Sequence, residues 1–205
     1  GSSELMTNLS MSLVNALYNL QLMKIAGENG VAAYGAVMYV NFIFVATFLG
    51  YAIGCAPVIS YHYGAGNHAE LKNLYKKSMS IILVWGVILF GAAQLLAPVL
   101  SKIFVGYNTG LYAMTLHGFR VYAIAFLIIG INIFGSSFFT ALNNGLISAV
   151  TSFLRTLVFQ VIMVLTLPLW FGINGIWSAI SIAEALTLIM TTTFFVRQKD
   201  KYHYL

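Results

Sequence analysis

Residues 39–77 read YVNFIFVATFLGYAIGCAPVISYHYGAGNHAELKNLYKK, and this stretch decides the fold. A long apolar run loses its hydrophobicity at Ser60. A glycine-punctuated turn follows at Gly64, Ala65, Gly66 and Asn67, and then the basic cluster Lys72, Lys76 and Lys77. An apolar helix, a tight polar turn and a basic rim together mark an exit from a membrane on its cytoplasmic side.

Composition supports the same assignment. Of 205 residues, 60% are hydrophobic and only 7% are charged, and the mean hydropathy is +0.88. A soluble domain carries about 25% charged residues, so this chain lacks the polar groups to face water, and lipid is its natural solvent. Backbone groups in lipid must be satisfied inside the spanning element, which leaves helices or a closed barrel. The apolar runs are long and near-continuous rather than ten-residue alternations, so a barrel is rejected. The net charge of +5 does not indicate nucleic acid as a partner, because most of the cations flank apolar runs. Cys55 is the lone cysteine, so no internal disulfide forms. No basic region followed by a cleavage site opens the chain, and no signal peptide is expected.

Working outward, the pattern predicts an all-α, polytopic membrane protein. Six transmembrane helices are expected over about 5–25, 33–60, 74–97, 111–142, 146–170 and 176–196, forming a single bundle over 1–205. The first segment is unusually polar. Asn8, Ser12, Asn15 and Asn19 share one helical face, and an amide stripe in lipid is costly, so it should meet other helices or a wet cavity. Glu4 stands at the inner end of this segment. The second segment is about 40 Å long at 1.5 Å per residue, so it tilts or protrudes. Gly50 and Gly54 form a G-x-x-x-G step that admits a close helix, and Pro57 removes a helix hydrogen bond one turn later, predicting a kink near Ile53. Pro98 is expected to end or kink the third segment, with 102–109 as a surface connection. Gly27-Glu28-Asn29-Gly30 and Gly172-Ile173-Asn174-Gly175 are tight turns of like spacing.

With the 61–73 loop inside, alternation places the 143–146 turn and the C-terminal tail inside too. Lys72, Lys76, Lys77, Arg197, Lys199 and Lys201 then share the inner rim, and Lys24 and Lys102 lie outside. Both ends of the chain are therefore expected in the cytoplasm.

No soluble-enzyme constellation is present. The sequence lacks G-x-x-x-x-G-K-[ST] and H-E-x-x-H, and His62 and His68 have no cysteine or carboxylate at ligand spacing. Neither an enzyme nor a resident cofactor or metal is expected. Glu184 is the sole carboxylate deep in an apolar segment. A buried acid is expensive unless paired, which makes it either a proton or cation site, a structural hydrogen bond, or a partner for Arg155 should the two helices approach. Tyr34, Tyr39, Phe42, Tyr51, Phe126, Phe134, Phe138 and Phe139 are candidates for a cavity that takes flat organic cations on ring faces, or for ordinary packing.

The order of several short runs resembles the multidrug and toxic compound extrusion (MATE) transporters, particularly their MepA-like branch and the C-terminal six of twelve helices. The matching runs are Gly50-Tyr51-Ala52-Ile53-Gly54 through Pro57-Val58-Ile59-Ser60 to Gly64-Ala65, and Leu116 to Arg120. Asn132 with Phe138-Phe139, Ser152-Phe153-Leu154-Arg155, Pro168, Gly172 to Trp177 and Ala183-Glu184 complete them. The resemblance implies one lobe of a secondary antiporter in the cell membrane, exporting small lipophilic, often cationic compounds in exchange for H+ or Na+. Its partner is the other six-helix half or a second copy of the chain. A lipid-linked precursor flippase of the same superfamily and a non-transporting truncated membrane protein are the alternatives. In some members the C-terminal half carries an acid on its first helix and another on its fourth. This chain offers Asn8, Asn15 and Asn19 on the first and Asn132 on the fourth. Ala56 and His62 stand where amides are expected, and Ser181 where proline is. On this reading the substrate or ion pathway involves Asn8, Asn15, Asn19, Tyr39, Asn132 and Glu184, with Gly50, Gly54 and Pro57 as packing or hinge positions.

Overall fold

The computed structural model describes the backbone of residues 2–205 and the side chains from Asn8 onward. Glu4 therefore lies outside the described side chains. Among the described residues there is no strand, and five continuous helices are long and apolar enough to cross a membrane. The first of these is in fact two. Ser2–Gly64 is helical except at Gly27, whose φ of 66° and ψ of −154° break the run. Tyr18 and Tyr34 stack with ring centroids 5.1 Å apart. Sixteen residues of straight helix span about 24 Å, so the chain must double back between them.

The bundle thus comprises α1 (residues 2–26), α2 (28–64), α3 (His68–Val105), α4 (Thr109–Ala141), α5 (Gly145–Phe171) and α6 (Ile173–Tyr202). α4 contains a tightened 3₁₀ turn at Ala123–Ala125, and α5 a widened π turn at Leu154–Val158.

The helices run further into the turns than the apolar segments read from the sequence. α3 continues through Pro98 to Val105, so the 102–109 connection shortens to residues 106–108. Proline does not stop it, because the lost backbone bond falls within a long apolar helix that packing holds. Likewise α2 stays helical through Pro57. The two G-x-N-G turns shrink to single residues. Gly172 adopts φ 56° and ψ −134°, close to Gly27. This backbone region is essentially reserved for glycine, so like turn chemistry accounts for the like spacing.

Asparagine starts α3, α4 and α5. Asn67, Asn108 and Asn144 accept from the backbone N–H of Glu70, Leu111 and Ile147 at 3.1, 3.1 and 3.2 Å, satisfying donors that a helix start leaves orphaned. Lateral contacts use the short hydroxyls typical of membrane bundles. Ser136 of α4 meets Ser148 and Ser152 of α5 at 3.0 and 2.8 Å. Ser137 donates to the Ala52 carbonyl at 3.1 Å, tying α4 to α2. By contrast, no atom of another helix comes within reach of a side chain placed at Gly50 or Gly54. The expected close approach there is not made within this bundle, and that face of α2 is left open.

One end of the bundle gathers the 65–67 turn, the 142–144 turn and the C-terminal residues. The rings of His68 and His203 lie 4.8 Å apart, and the Asn144 amide donates to the Tyr202 hydroxyl at 3.0 Å. Tyr204 turns back under the helices. It packs on Phe138, Tyr75 and Phe195 and donates to the Phe195 carbonyl at 2.8 Å.

Candidate functional site: a polar cavity floored by a buried ion pair

α1, α2, α4, α5 and α6 enclose a cavity of about 450 Å³. Its walls follow from helical spacing. α1 contributes Asn8, Met11, Val14, Asn15 and Tyr18, steps of three and four residues that hold one face. α2 contributes Tyr34, Met38, Asn41, Val45 and Leu49 by the same rule. The Tyr34 hydroxyl donates to the Asn15 side-chain oxygen at 3.2 Å, so the α1–α2 hairpin fixes its own polar wall.

The floor is a charged cluster. Glu184 of α6 is only 1% exposed. Arg155 of α5 donates through Nε alone, to Oε1 at 2.9 Å and Oε2 at 3.1 Å. Asn132 of α4, fully buried, donates its amide to Glu184 Oε2 at 2.7 Å and to the Glu184 backbone carbonyl at 2.9 Å. The carboxylate is therefore paired and hydrogen-bonded, which is what permits a charge at this depth. Arg155 comes from the π turn, where the Phe159 N–H bonds back five residues to the Leu154 carbonyl. Such widened turns cluster at functional sites, and here the turn carries both Arg155 and Thr156 to the cavity. Two enclosed atoms of lining residues have no hydrogen-bond partner among the described residues: the Tyr18 hydroxyl and the Asn41 Oδ1.

The sequence-derived candidates separate into groups. Asn8, Asn15 and Glu184 line the cavity, and Asn132 supports Glu184 from beneath it. Asn19 and Tyr39 are not among its lining residues. Tyr39 is 69% exposed and stacks on Phe104 at the outer surface, because residue 39 follows Met38 on α2 and is carried round to the next face. Of the eight candidate rings, Tyr34 alone lines this cavity. Phe126, Phe134, Phe138 and Phe139 are packed in the core, Phe42 faces outward, and Tyr51 donates to Ser78 at 2.9 Å between α2 and α3. Reasoning from sequence missed Tyr18, Asn41, Tyr122 and Gln160. For Asn41, its spacing of seven from the candidate Tyr34 on α2 was the available signal.

The family model described as MatE matches residues 5–166. The chain belongs to the MatE family. No curated protein matches it. Among solved structures this MatE chain is similar to the inward-facing conformation of a multidrug resistance MATE family transporter of the MOP superfamily, at 21% identity and a TM-score of 0.91, over 98% of this chain and 47% of that one. It is also similar to an outward-facing conformation of a multidrug resistance MATE family transporter, at 21% identity and a TM-score of 0.86, over 96% and 44%. A MOP superfamily transporter from Pyrococcus furiosus Vc1 matches at 21% identity and a TM-score of 0.85, over 94% and 43%. The MatE chain thus spans less than half the length of these structures, and at this identity they establish the fold alone. Family and apolar helices together make it an integral membrane protein.

Proposed function

We propose that this chain is one lobe of a secondary active antiporter that exports small lipophilic organic compounds in exchange for H+ or Na+. The observation that carries the proposal is the cavity. It sinks an ion pair and several amides into a bundle that exposes many large apolar side chains, and intramembrane ionisable groups of this kind mark substrate or ion pathways. In this reading Asn8 and Asn15 form the wall, and Glu184 with Asn132 the ion-responsive floor. Asn19 faces a partner lobe. That partner is either the other six-helix half or a second copy, and it meets the open G-x-x-x-G face of α2. The basic end, with Lys72, Lys76, Lys77, Arg197, Lys199 and Lys201, faces the cytoplasm of a cell whose plasma membrane holds the protein. Cationic compounds are the substrates that the family resemblance suggests. The charge this lobe itself presents is taken up below.

The test is dye movement by the protein with its partner lobe in proteoliposomes, using anionic, neutral and cationic dyes. A pH gradient is imposed first and a sodium gradient second. Gradient-driven movement of at least one dye, reduced by Glu184→Gln, is expected. No movement of any dye under either gradient would overturn the reading.

A further inference from the structure

Glu184 and Arg155 are opposite charges, but the cavity does not meet them equally. Glu184 is 1% exposed and Arg155 is 18% exposed, so the acid lies beneath the guanidinium. The pairing is side-on. One N–H, on Nε, spans both carboxylate oxygens. An end-on fork would instead have engaged the terminal nitrogens. Neither terminal nitrogen of Arg155 has a hydrogen-bond partner among the described residues. Both are accessible, since neither appears among the enclosed unpaired atoms. Arg155 lines the cavity, so a permanently charged group with up to four unengaged N–H donors stands at its wall.

The rest of the wall fits the same sign. Among the described residues Glu184 is the one carboxylate that lines the cavity, and it is occupied by Arg155 and Asn132. Tyr18 lines the same cavity with its ring, and its hydroxyl is enclosed behind the wall. Met11, Val14, Val45 and Leu49 supply an adjoining apolar wall. A planar guanidinium with its fork vacant and an apolar wall suit an oxyanion carried on an apolar tail.

We propose that this cavity binds the carboxylate or phosphate head of an amphipathic anion, held by the terminal nitrogens of Arg155. The proposal rests on the transporter reading for its meaning and deepens it by naming the charge class this lobe takes. Charge-assisted hydrogen bonds contribute about 1.5–3 kcal/mol, so the anion should bind about ten- to a hundredfold tighter than a cation of equal tail length.

The test measures binding rather than transport, so it stands apart from failure of the antiport reading. The protein with its partner lobe is purified in a neutral detergent. Its thermal stabilisation is titrated with octyl phosphate, octanoate, octyltrimethylammonium, octanol and inorganic phosphate. Octyl phosphate or octanoate should bind at least tenfold tighter than octyltrimethylammonium. In Arg155→Gln/Glu184→Gln, which removes both charges together, the ratio of octyl phosphate to octanol affinity should fall at least tenfold. If the double variant does not fold, Arg155→Lys decides. Its compact ammonium, drawn to Glu184, lacks the second pair of donors that the guanidinium fork offers an oxyanion, and the same ratio should fall severalfold. Octyl phosphate binding far tighter than inorganic phosphate assigns the site to amphiphile heads. Equal affinities retain the oxyanion but overturn the amphipathic ligand. A cation bound as tightly as the anions, or a ratio unmoved in the variant that folds, would overturn the proposal.

Discussion

Replacing Arg155 by methionine leaves the Glu184 carboxylate at 1% exposure with Asn132 as its one side-chain donor. Removing one member of a buried pair costs about 3–5 kcal/mol, because the charge left behind is uncompensated. Glu184→Gln is milder. The new amide oxygen still accepts from Arg155, and the guanidinium is partly hydrated, so the loss is about 1–3 kcal/mol. Replacing both, as Arg155→Met/Glu184→Leu, removes the two charges together and should lie within about 2 kcal/mol of the parent, since well-packed apolar groups often match a buried pair. Asn132 keeps its bond to the residue 184 carbonyl in every case. The assay is unfolding in mixed micelles, followed by helical circular dichroism against the fraction of denaturing detergent. The expected order of stability places Arg155→Met last and the double variant well above it. Arg155→Met within about 1 kcal/mol of the parent, or a double variant no more stable than Arg155→Met, would refute the reasoning.

Three further outcomes follow from the packing. Gly172→Ala forces a side chain into φ 56°, ψ −134° and should destabilise by about 1–3 kcal/mol, read in the same unfolding assay. Gly130→Ala places a methyl group against Phe48 and Ile82. It should cost about 1–3 kcal/mol by overpacking, and Phe48→Leu in the same chain should recover part of that loss. Tyr204→Phe removes the bond to the Phe195 carbonyl while keeping the ring contacts, a loss of about 1 kcal/mol. It should show as faster proteolysis of the C-terminus, with the rest of the bundle unaffected.

The fold was legible because lipid imposes one requirement, satisfied backbone in long apolar segments, and six such segments are plain in the hydropathy. Helix ends were less legible. Pro98 signals an end or a kink and Pro57 a kink by local rules, and the surrounding apolar helix carries the backbone through both. The polar face of α1 was found, but its rotation was set one position off. Asn8, Ser12, Asn15 and Asn19 and the observed Asn8, Met11, Asn15 and Tyr18 both fit spacings of three and four. The Tyr18–Tyr34 stack across the hairpin selects the second set, and that is a tertiary contact. Similarly, the depth of Glu184 left a proton or cation site, a structural hydrogen bond and a pairing with Arg155 open, and the approach of α5 to α6 selects the last two together. The side-on geometry, set by a π turn without a sequence signature, was not accessible from the chain.

The account depends on the cavity being wet and in use. The direct measurement is thiol labelling in a Cys55→Ala background, with single cysteines at Asn15 on the cavity wall and at Val87 on the outward face of α3. In membranes, a charged water-soluble reagent should modify position 15 and spare position 87, and octyl phosphate should slow the reaction at position 15. A position 15 that resists the reagent, or reacts no faster than position 87, would contradict the account.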